Sequence, residues 1–450
     1  MADQRTVAIA STEPREITAR RAVRAACFGF FVDMFDVYLP IAALAPAIVY
    51  FVPPGLSPEV ESTIFFLIFA VTLIGRPVGA IIFGHFGDTI GRRRTTLISV
   101  AGFTIITLLI ALLPGYATWG MGAVALLILL RFLDGLCIGG EYTAANPLAM
   151  EYSPKERRGL YGSLIHVGYP AALLAISALT ALLTSIMPSG SPSSAYSVWG
   201  WRIPFFIGVI LSAALFVYYL RKVPESDLWQ SAPKTGAPLK ELLKGSNLRR
   251  MAQLFVVMSG AWLTLNATVG ALPGVGNVLE ANSGAVNTGT LIAAAIAVFL
   301  YPMLGLLSQR WGRRPTITLI GVLNAFPAAI LYIMLVSFGT LSNTIFVVLV
   351  AAVSLLGLLI WAVHTPYLVE SFKTSVRSAG YGIAYSLATI IPGFYSFYLL
   401  GLSKLMPYAY TPIVLLVLGG LFLSVGALLG PETKDVEFSP IEGDETRSQT

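Results

Sequence analysis

Charge is what this chain has least of. Of 450 residues only 29 are Lys or Arg and 23 are Asp or Glu, 12% together, against 56% hydrophobic residues and a mean hydropathy of +0.77. A soluble domain of ordinary composition is excluded, since about a quarter of its residues would be charged. Cysteine is nearly absent as well. Cys27 and Cys137 both lie in apolar runs, which excludes a disulfide framework and a thiolate metal site and leaves packing. The three histidines show no metal-ligand spacing, no phosphate-binding glycine loop is present, and no nucleophile and base fall together. No metal, other cofactor or enzymatic activity is therefore expected. The opening MADQRTVAIASTEPREITARRAVR lacks the apolar core and small-residue cleavage site of a signal peptide, and reads as a cytoplasmic leader. The net charge of +6 comes from short basic clusters between apolar runs, so nucleic acid is discarded as a partner.

What the chain has in abundance is apolar runs long enough to cross a bilayer, which takes about 20 residues as a helix. Twelve are expected, near 24–51, 61–86, 95–113, 120–143, 159–187, 203–222, 250–272, 284–308, 315–337, 343–368, 379–403 and 409–429. The fold class is thus all-α, a membrane protein of twelve transmembrane helices. With the N-terminus placed inside, 25 of the 29 basic residues fall in inner segments, two (Arg202 and Lys404) outside, and two (Arg76 and Arg131) within the membrane. Positive loops resist translocation, so both termini are expected in the cytoplasm, with the bilayer as a partner.

The helices divide six and six. A leader at 1–23 precedes a first bundle at 24–222, a Lys-rich linker at 223–249, a second bundle at 250–430 and an acidic tail at 431–450. The bundles repeat each other. GHFGDTIGRRRT at 84–95 returns as GLLSQRWGRRPT at 305–316, Glu151 and Arg158 are spaced like Glu370 and Arg377, and PES at 224–226 answers PET at 431–433.

Charges at bilayer depth normally face the interior and pair with one another. Here they are Asp33, Asp36, Arg76, Arg131, Asp134 and, nearer the cytoplasm, Glu141. Asp36 and Arg131 lie about 11 or 12 residues into antiparallel helices; at about 1.5 Å per residue both reach the midplane and can meet. Asp33 shares a helical face with Asp36, and Asp134 with Arg131. Arg76, flanked by the close-packing spacing of Gly75 and Gly79, suits a carboxylate in a water-filled cavity, or pairs with Asp33 or Asp134.

The stretches GRPVGAIIFGHFGDTIGRR (75–93), RFLDGLCIGGE (131–141), GWRIPF (200–205), PES and PET together resemble the major facilitator superfamily over essentially the whole chain. The pattern is most similar to the metabolite:proton symporter family and more distantly to the sugar porters. Gln309 departs from it where an acid is common, Asp33 where glutamate is commoner, and Asp134 where a neutral residue is usual. The resemblance implies the major facilitator fold, a monomer, and proton coupling by Asp36 with Arg131, joined by Asp33 and Asp134; a static pair locking two helices is the other reading. It implies an arginine such as Arg76 as an organic-acid ligand. It also implies a gating network of Gly84, Asp88, Gly91, Arg92, Arg93, Glu151, Arg158, Gly312, Arg313, Glu370 and Arg377, which is compatible with plain topological anchoring by the basic residues.

Further candidates for the cavity lining are Tyr38, His166, Tyr169, Trp262, Asn266, Trp361 and Tyr385, with Tyr381 and His364 beside them. Each is also an ordinary packing or interface residue. His166 is the alternative titrating group, and His364 falls near the cytoplasmic end of its span. ALPGVGN at 271–277 is expected to break helix seven as an outer gate, and Asn266-Ala-Thr to be a glycosylation decoy inside the membrane. The expected function is proton-coupled uptake of a small organic acid across the plasma membrane. A zwitterion or sugar as solute, proton-antiport export and a transport-dead receptor remain as alternatives.

Overall fold

The computed structural model describes residues 15–439 apart from 54, 56–57, 281–282 and 338–341. Residues 1–14 of the expected leader and 440–450 of the acidic tail lie outside the described residues.

Among the described residues, twelve helices are long and apolar enough to cross a membrane: α1 (Glu16–Tyr50), α2 (Leu67–Thr89), α3 (Arg92–Ala111), α4 (Met121–Tyr152), α5 (Lys155–Ile186), α6 (Tyr196–Lys222), α7 (Gly245–Val278), α8 (Gly284–Trp311), α9 (Arg313–Ser337), α10 (Asn343–Glu370), α11 (Thr374–Leu402) and α12 (Tyr408–Leu428). No strand occurs among the described residues. Large apolar side chains such as Ile74, Phe299 and Met303 stand exposed on the outside, where lipid rather than water makes exposure favourable. Arg157 pairs with Glu16 at 3.0 Å and Lys155 with Glu437 at 2.9 Å, so the start of α1, the α4–α5 connection and the chain beyond α12 share one face, called here the terminal face.

Small residues decide which helices touch. Gly75 and Gly79 of α2 lie against the backbone of Phe132 and Leu136, while Gly135 and Gly139 of α4 lie against the backbone of Thr72 and Arg76. Two such stripes facing each other bring the helices into backbone contact, and a Cβ at any of these positions has no room. The halves of the molecule meet chiefly through α2 with α11, α5 with α8, and α4 with α11. The pairing of α2 and α4 with α11 involves the half of α11 nearest the terminal face, Arg377–Leu387, so the halves are joined at that face.

Three boundaries differ from those read in the sequence. The fourth helix does not stop near 143 but runs to Tyr152, because Glu141, Asn146 and Glu151, which end the apolar run, are buried instead of solvated. The sixth begins at Tyr196 with a π-turn, and Arg202, counted among outer-loop charges, is a buried group that donates to the carbonyls of Val198 (2.9 Å) and Leu113 (2.8 Å). The expected break at 271–277 is absent: α7 makes a π-turn at Asn266–Gly270 and resumes as a helix over Leu272–Val278. Pro273 falls in the first turn of that renewed helix, where its missing N–H costs nothing. The linker folds into short helices at Asp227–Ser231 and Pro238–Leu242 before α7 begins at Gly245.

Candidate functional site

Among the described residues, the buried charges away from the terminal face are all in the first half. Arg131 on α4 bonds through Nη1 to Asp36 of α1 at 2.8 Å and lies 3.0 Å from Asp134, one turn further along its own helix. Its Nε donates to Thr72 of α2 at 3.1 Å, and Thr107 of α3 donates to Asp36 at 2.6 Å. Four helices thus converge on one ion pair, and the two side chains expected to meet do so. Asp33, expected with them, does not join. It sits one turn nearer the terminal face, its carboxyl in contact with that of Glu141 on α4.

Arg76 is 5% exposed and stands apart from both clusters. Its guanidinium carbon lies 5.1 Å from the ring centroid of Tyr142, while Nε and Nη2 meet no acceptor, so neither Asp33 nor Asp134 takes them. The opposing half presents rings. Trp262 and Trp361 meet edge to face at 4.6 Å, Tyr385 closes the group at 5.7 Å from Trp262, and Tyr142 reaches Tyr385 across the divide at 4.9 Å. The Trp262 indole N–H is taken by the Tyr385 carbonyl at 3.2 Å, whereas that of Trp361 meets no acceptor. Tyr38 donates to Tyr169 at 3.0 Å. Asn266 is engaged elsewhere, its amide tying α7 to the carbonyl of Pro392 on α11 at 2.8 Å.

His166 and His364 come from opposite halves and face each other Nε2 to Nε2 at 2.9 Å, with Thr365 3.1 Å from His166. His364, expected near a helix end, is fully buried, because α10 tightens to a 3₁₀ turn at Leu359–Ala362 and turns the ring inward under Tyr385.

At the terminal face the repeated motif is built twice. In the first half, Asp88 accepts from the backbone N–H of Ser378 (3.1 Å) and Ala379 (2.9 Å), the opening turn of the α11 segment across the divide. Glu151 holds Arg92 at 3.0 Å and, from the other half, Arg377 at 2.6 Å, all with side chains no more than 1% exposed. In the second half Gln309 replaces the acid, yet its side-chain carbonyl accepts from Gly159 N–H of α5 at 2.9 Å, the mirror of the Asp88 contact. Arg313 takes Glu370 in a fork at 3.1 and 3.2 Å. Gly84 packs on Ala379, and its repeat mate Gly305 on Gly159. Gly91 and Gly312 both have φ of 114°, which side-chain-bearing residues rarely adopt, and so release α3 and α9 at matching angles. Arg93 turns away from the divide to the carbonyl of Val223 at 2.6 Å. Arg158 donates to the carbonyl of Val436 at 2.6 Å and stacks 3.5 Å from the centroid of Phe438.

A sequence model described as the Major Facilitator Superfamily matches residues 26–391. The chain belongs to that superfamily. The shikimate transporter of Escherichia coli (strain K12) is 31% identical over 410 residues, covering 85% of this chain and 88% of the relative. A proline/betaine transporter of Salmonella typhimurium is 30% identical over 94% of this chain and 85% of its own. The alpha-ketoglutarate permease of Escherichia coli (strain K12) is 29% identical over 84% and 86%. A solved structure of the proton:xylose symporter XylE superposes with a TM-score of 0.75 at 17% identity, covering 97% of this chain and 99% of the other, which is a likeness of fold. As a member of the superfamily this protein is a multi-pass secondary transporter of a small molecule, not an enzyme.

Several residues of the site escaped the sequence reading. Glu225 of PES accepts from the backbone N–H groups of Arg92 (3.0 Å) and Arg93 (3.1 Å), and Glu432 of PET from those of Arg313 (2.8 Å) and Arg314 (3.1 Å). Each carboxylate caps the helix that follows its half's Gly-Arg-Arg, a favourable place beside the positive end of the helix dipole. Ser226 donates to Glu151, and Thr433 to Glu370 at 2.8 Å. The repetition of the tripeptide in both halves was the available signal. Tyr142 and Phe438 carried no such mark.

Proposed function

We propose that this superfamily member takes up a small carboxylate-bearing metabolite together with protons, across the plasma membrane, with both termini in the cytoplasm. The observation that carries the reading is Arg76: a buried guanidinium with unused donors, beside the divide between the halves and facing the aromatic group of the other half. A forked cation in a dry, ring-lined site is a strong ligand for a carboxylate. Shikimate, alpha-ketoglutarate and proline or betaine, the solutes named for the relatives, share that group. Asp36, held by Arg131 and flanked by Asp134, serves as the coupling acid: protonation releases the arginine and permits closure over a neutral core. The paired motifs at the terminal face act as the latch that holds the cytoplasmic side shut until the halves rock. The Trp262, Trp361 and Tyr385 rings favour a second reading, a zwitterion whose onium group lies on the rings while its carboxylate takes Arg76.

Proteoliposomes with an inward proton gradient and labelled shikimate, alpha-ketoglutarate, proline and betaine test this. One of the carboxylates accumulates; Arg76→Gln lowers its apparent affinity about 10- to 100-fold, as expected for losing charge-assisted hydrogen bonds; and Asp36→Asn abolishes accumulation while sparing exchange. Expulsion of solute under the same gradient, or full affinity in Arg76→Gln, overturns the proposal. Current at equal pH on both sides selects the zwitterion over a monoanion carried with one proton.

A further inference from the structure

Four carboxyls, Asp33, Asp36, Asp134 and Glu141, share the core of the first half with two guanidiniums, Arg76 and Arg131, and none of the six is more than 5% exposed. If every acid were ionised, two negative charges at bilayer depth would lack a counterion, a state proteins avoid by protonation. Arg131 touches Asp36 and Asp134 and balances one of them, so one of the two excess charges belongs to that group. Asp33 and Glu141 are left to each other.

Their geometry shows how they are held. Glu141 reaches α1 at Gly29, where an added Cβ would meet its Oε1. Gly29 lies one helical turn before Asp33 on the same face, so the glutamate fills the space that the missing side chain leaves and brings its carboxyl onto that of Asp33. Neither oxygen of Asp33, nor Oε1 of Glu141, meets a donor. Ionised carboxyls only accept, so two of them in contact repel unless a proton lies between. Around the pair stand Arg76 from α2, Asp36 from α1, Tyr142 from α4, Tyr219 from α6 and Tyr381 from α11. Arg76 is the one cation among them.

We propose that Asp33 and Glu141 form a second proton site, separate from Asp36 and Arg131, and that its occupancy sets whether Arg76 is free for the solute. With one shared proton the pair bears a single negative charge, which balances Arg76. When a carboxylate docks on Arg76 it supplies that balance instead, and the pair takes a second proton from the solution on the open side. Loss of that proton returns the negative charge to the pair, which draws Arg76 back and expels the solute. Glu141 therefore acts on the solute through Arg76, as a positioning residue. The coupling to solute rests on the carboxylate reading above; the shared proton does not.

Infrared spectroscopy of the purified, solute-free protein at neutral pH tests the shared proton directly through the C=O stretch of a buried protonated carboxyl. Asp33→Asn and Glu141→Gln, both close in shape to the native residues, should each remove the same component of that absorption, the band that decides, because the remaining acid then ionises against Arg76. Asp134→Asn should leave that component in place and remove instead the one contributed by the excess acid beside Arg131. Absence of the band from the native protein, or its survival in either of the first two variants, overturns the proposal. If Glu141→Gln does not fold, Asp33→Asn decides alone. Neither result depends on which solute is carried, so failure here is distinct from failure of the uptake assay.

Discussion

The two halves of this transporter are built to one plan and filled with different chemistry. At depth the first half carries every buried charge of the central region, whereas the second offers Trp262, Trp361, His364, Tyr381 and Tyr385. At the terminal face the difference narrows to one atom type. Asp88 and Gln309 occupy the same place in the repeat, and each accepts backbone N–H from the helix of the opposite half. The shared geometry requires an acceptor; charge is needed only in the first copy, where Asp88 lies 3.7 Å from Arg92 and Glu151 must serve two guanidiniums from opposite halves. In the second copy Arg313 has Glu370 to itself, and the amide oxygen of Gln309 suffices at 2.8 Å.

The strongest way to break this asymmetry is at the glutamates. Glu151→Ala strands Arg92 and Arg377 in a buried site, and removing one partner from such a network costs about 3 to 5 kcal/mol. It should lower the melting temperature and widen the terminal face, read as the distance between spin labels on the α2–α3 and α10–α11 connections. Glu370→Ala should cost less and leave that distance unchanged, because Arg313 keeps Ser308 and Gln309 and the pair lies within one half. Equal widening in both would remove the distinction. A finer comparison sets Asp88→Ala against Gln309→Ala. Across the divide the first deletes charge-assisted bonds to two amides, about 1.5 to 3 kcal/mol, and the second a neutral bond, about 1 kcal/mol, its other loss being the Arg313 bond within its own half. The open population seen by the same labels should rank accordingly, and the reverse order would mean that charge is not what distinguishes the copies.

The smallest effect concerns the tail that crosses from the second half to the first. Lys155 holds the exposed Glu437 carboxyl below its usual range. A carboxyl lowered in the folded protein contributes above its unfolded value and loses that contribution as pH falls through the folded one. Docking of the tail on Lys155, followed by a fluorophore near residue 437, should therefore weaken on acidification through the carboxylate range and in high salt, and Glu437→Gln should lose both dependences. Because the pair is solvated, the melting temperature should scarcely move.

Much of this was legible from residue order. Apolar runs located the twelve helices, and the spacing of Gly75 and Gly79 in α2 marked a close approach by a neighbouring helix. The depth of Asp36 and Arg131 along antiparallel helices foretold their meeting. Other features were not readable, since they depend on what lies across a gap. Asp33 shares a face with Asp36, yet Glu141 claims it through the space at Gly29. Pro273 looks like a breaker until its place in the first turn of a resumed helix is seen. His364 gains its partner from a helix 198 residues away.

By itself the sequence determined that the chain spans a bilayer twelve times in two related halves, because the cost of exposing backbone and charge to hydrocarbon is local and additive along the chain. Which acid meets which arginine, which glutamate caps which helix, and which donors of Arg76 stay open were decided only by the tertiary structure. Those outcomes turn on contacts of a few ångströms between helices far apart in the chain, where a single missing Cβ redirects a carboxylate.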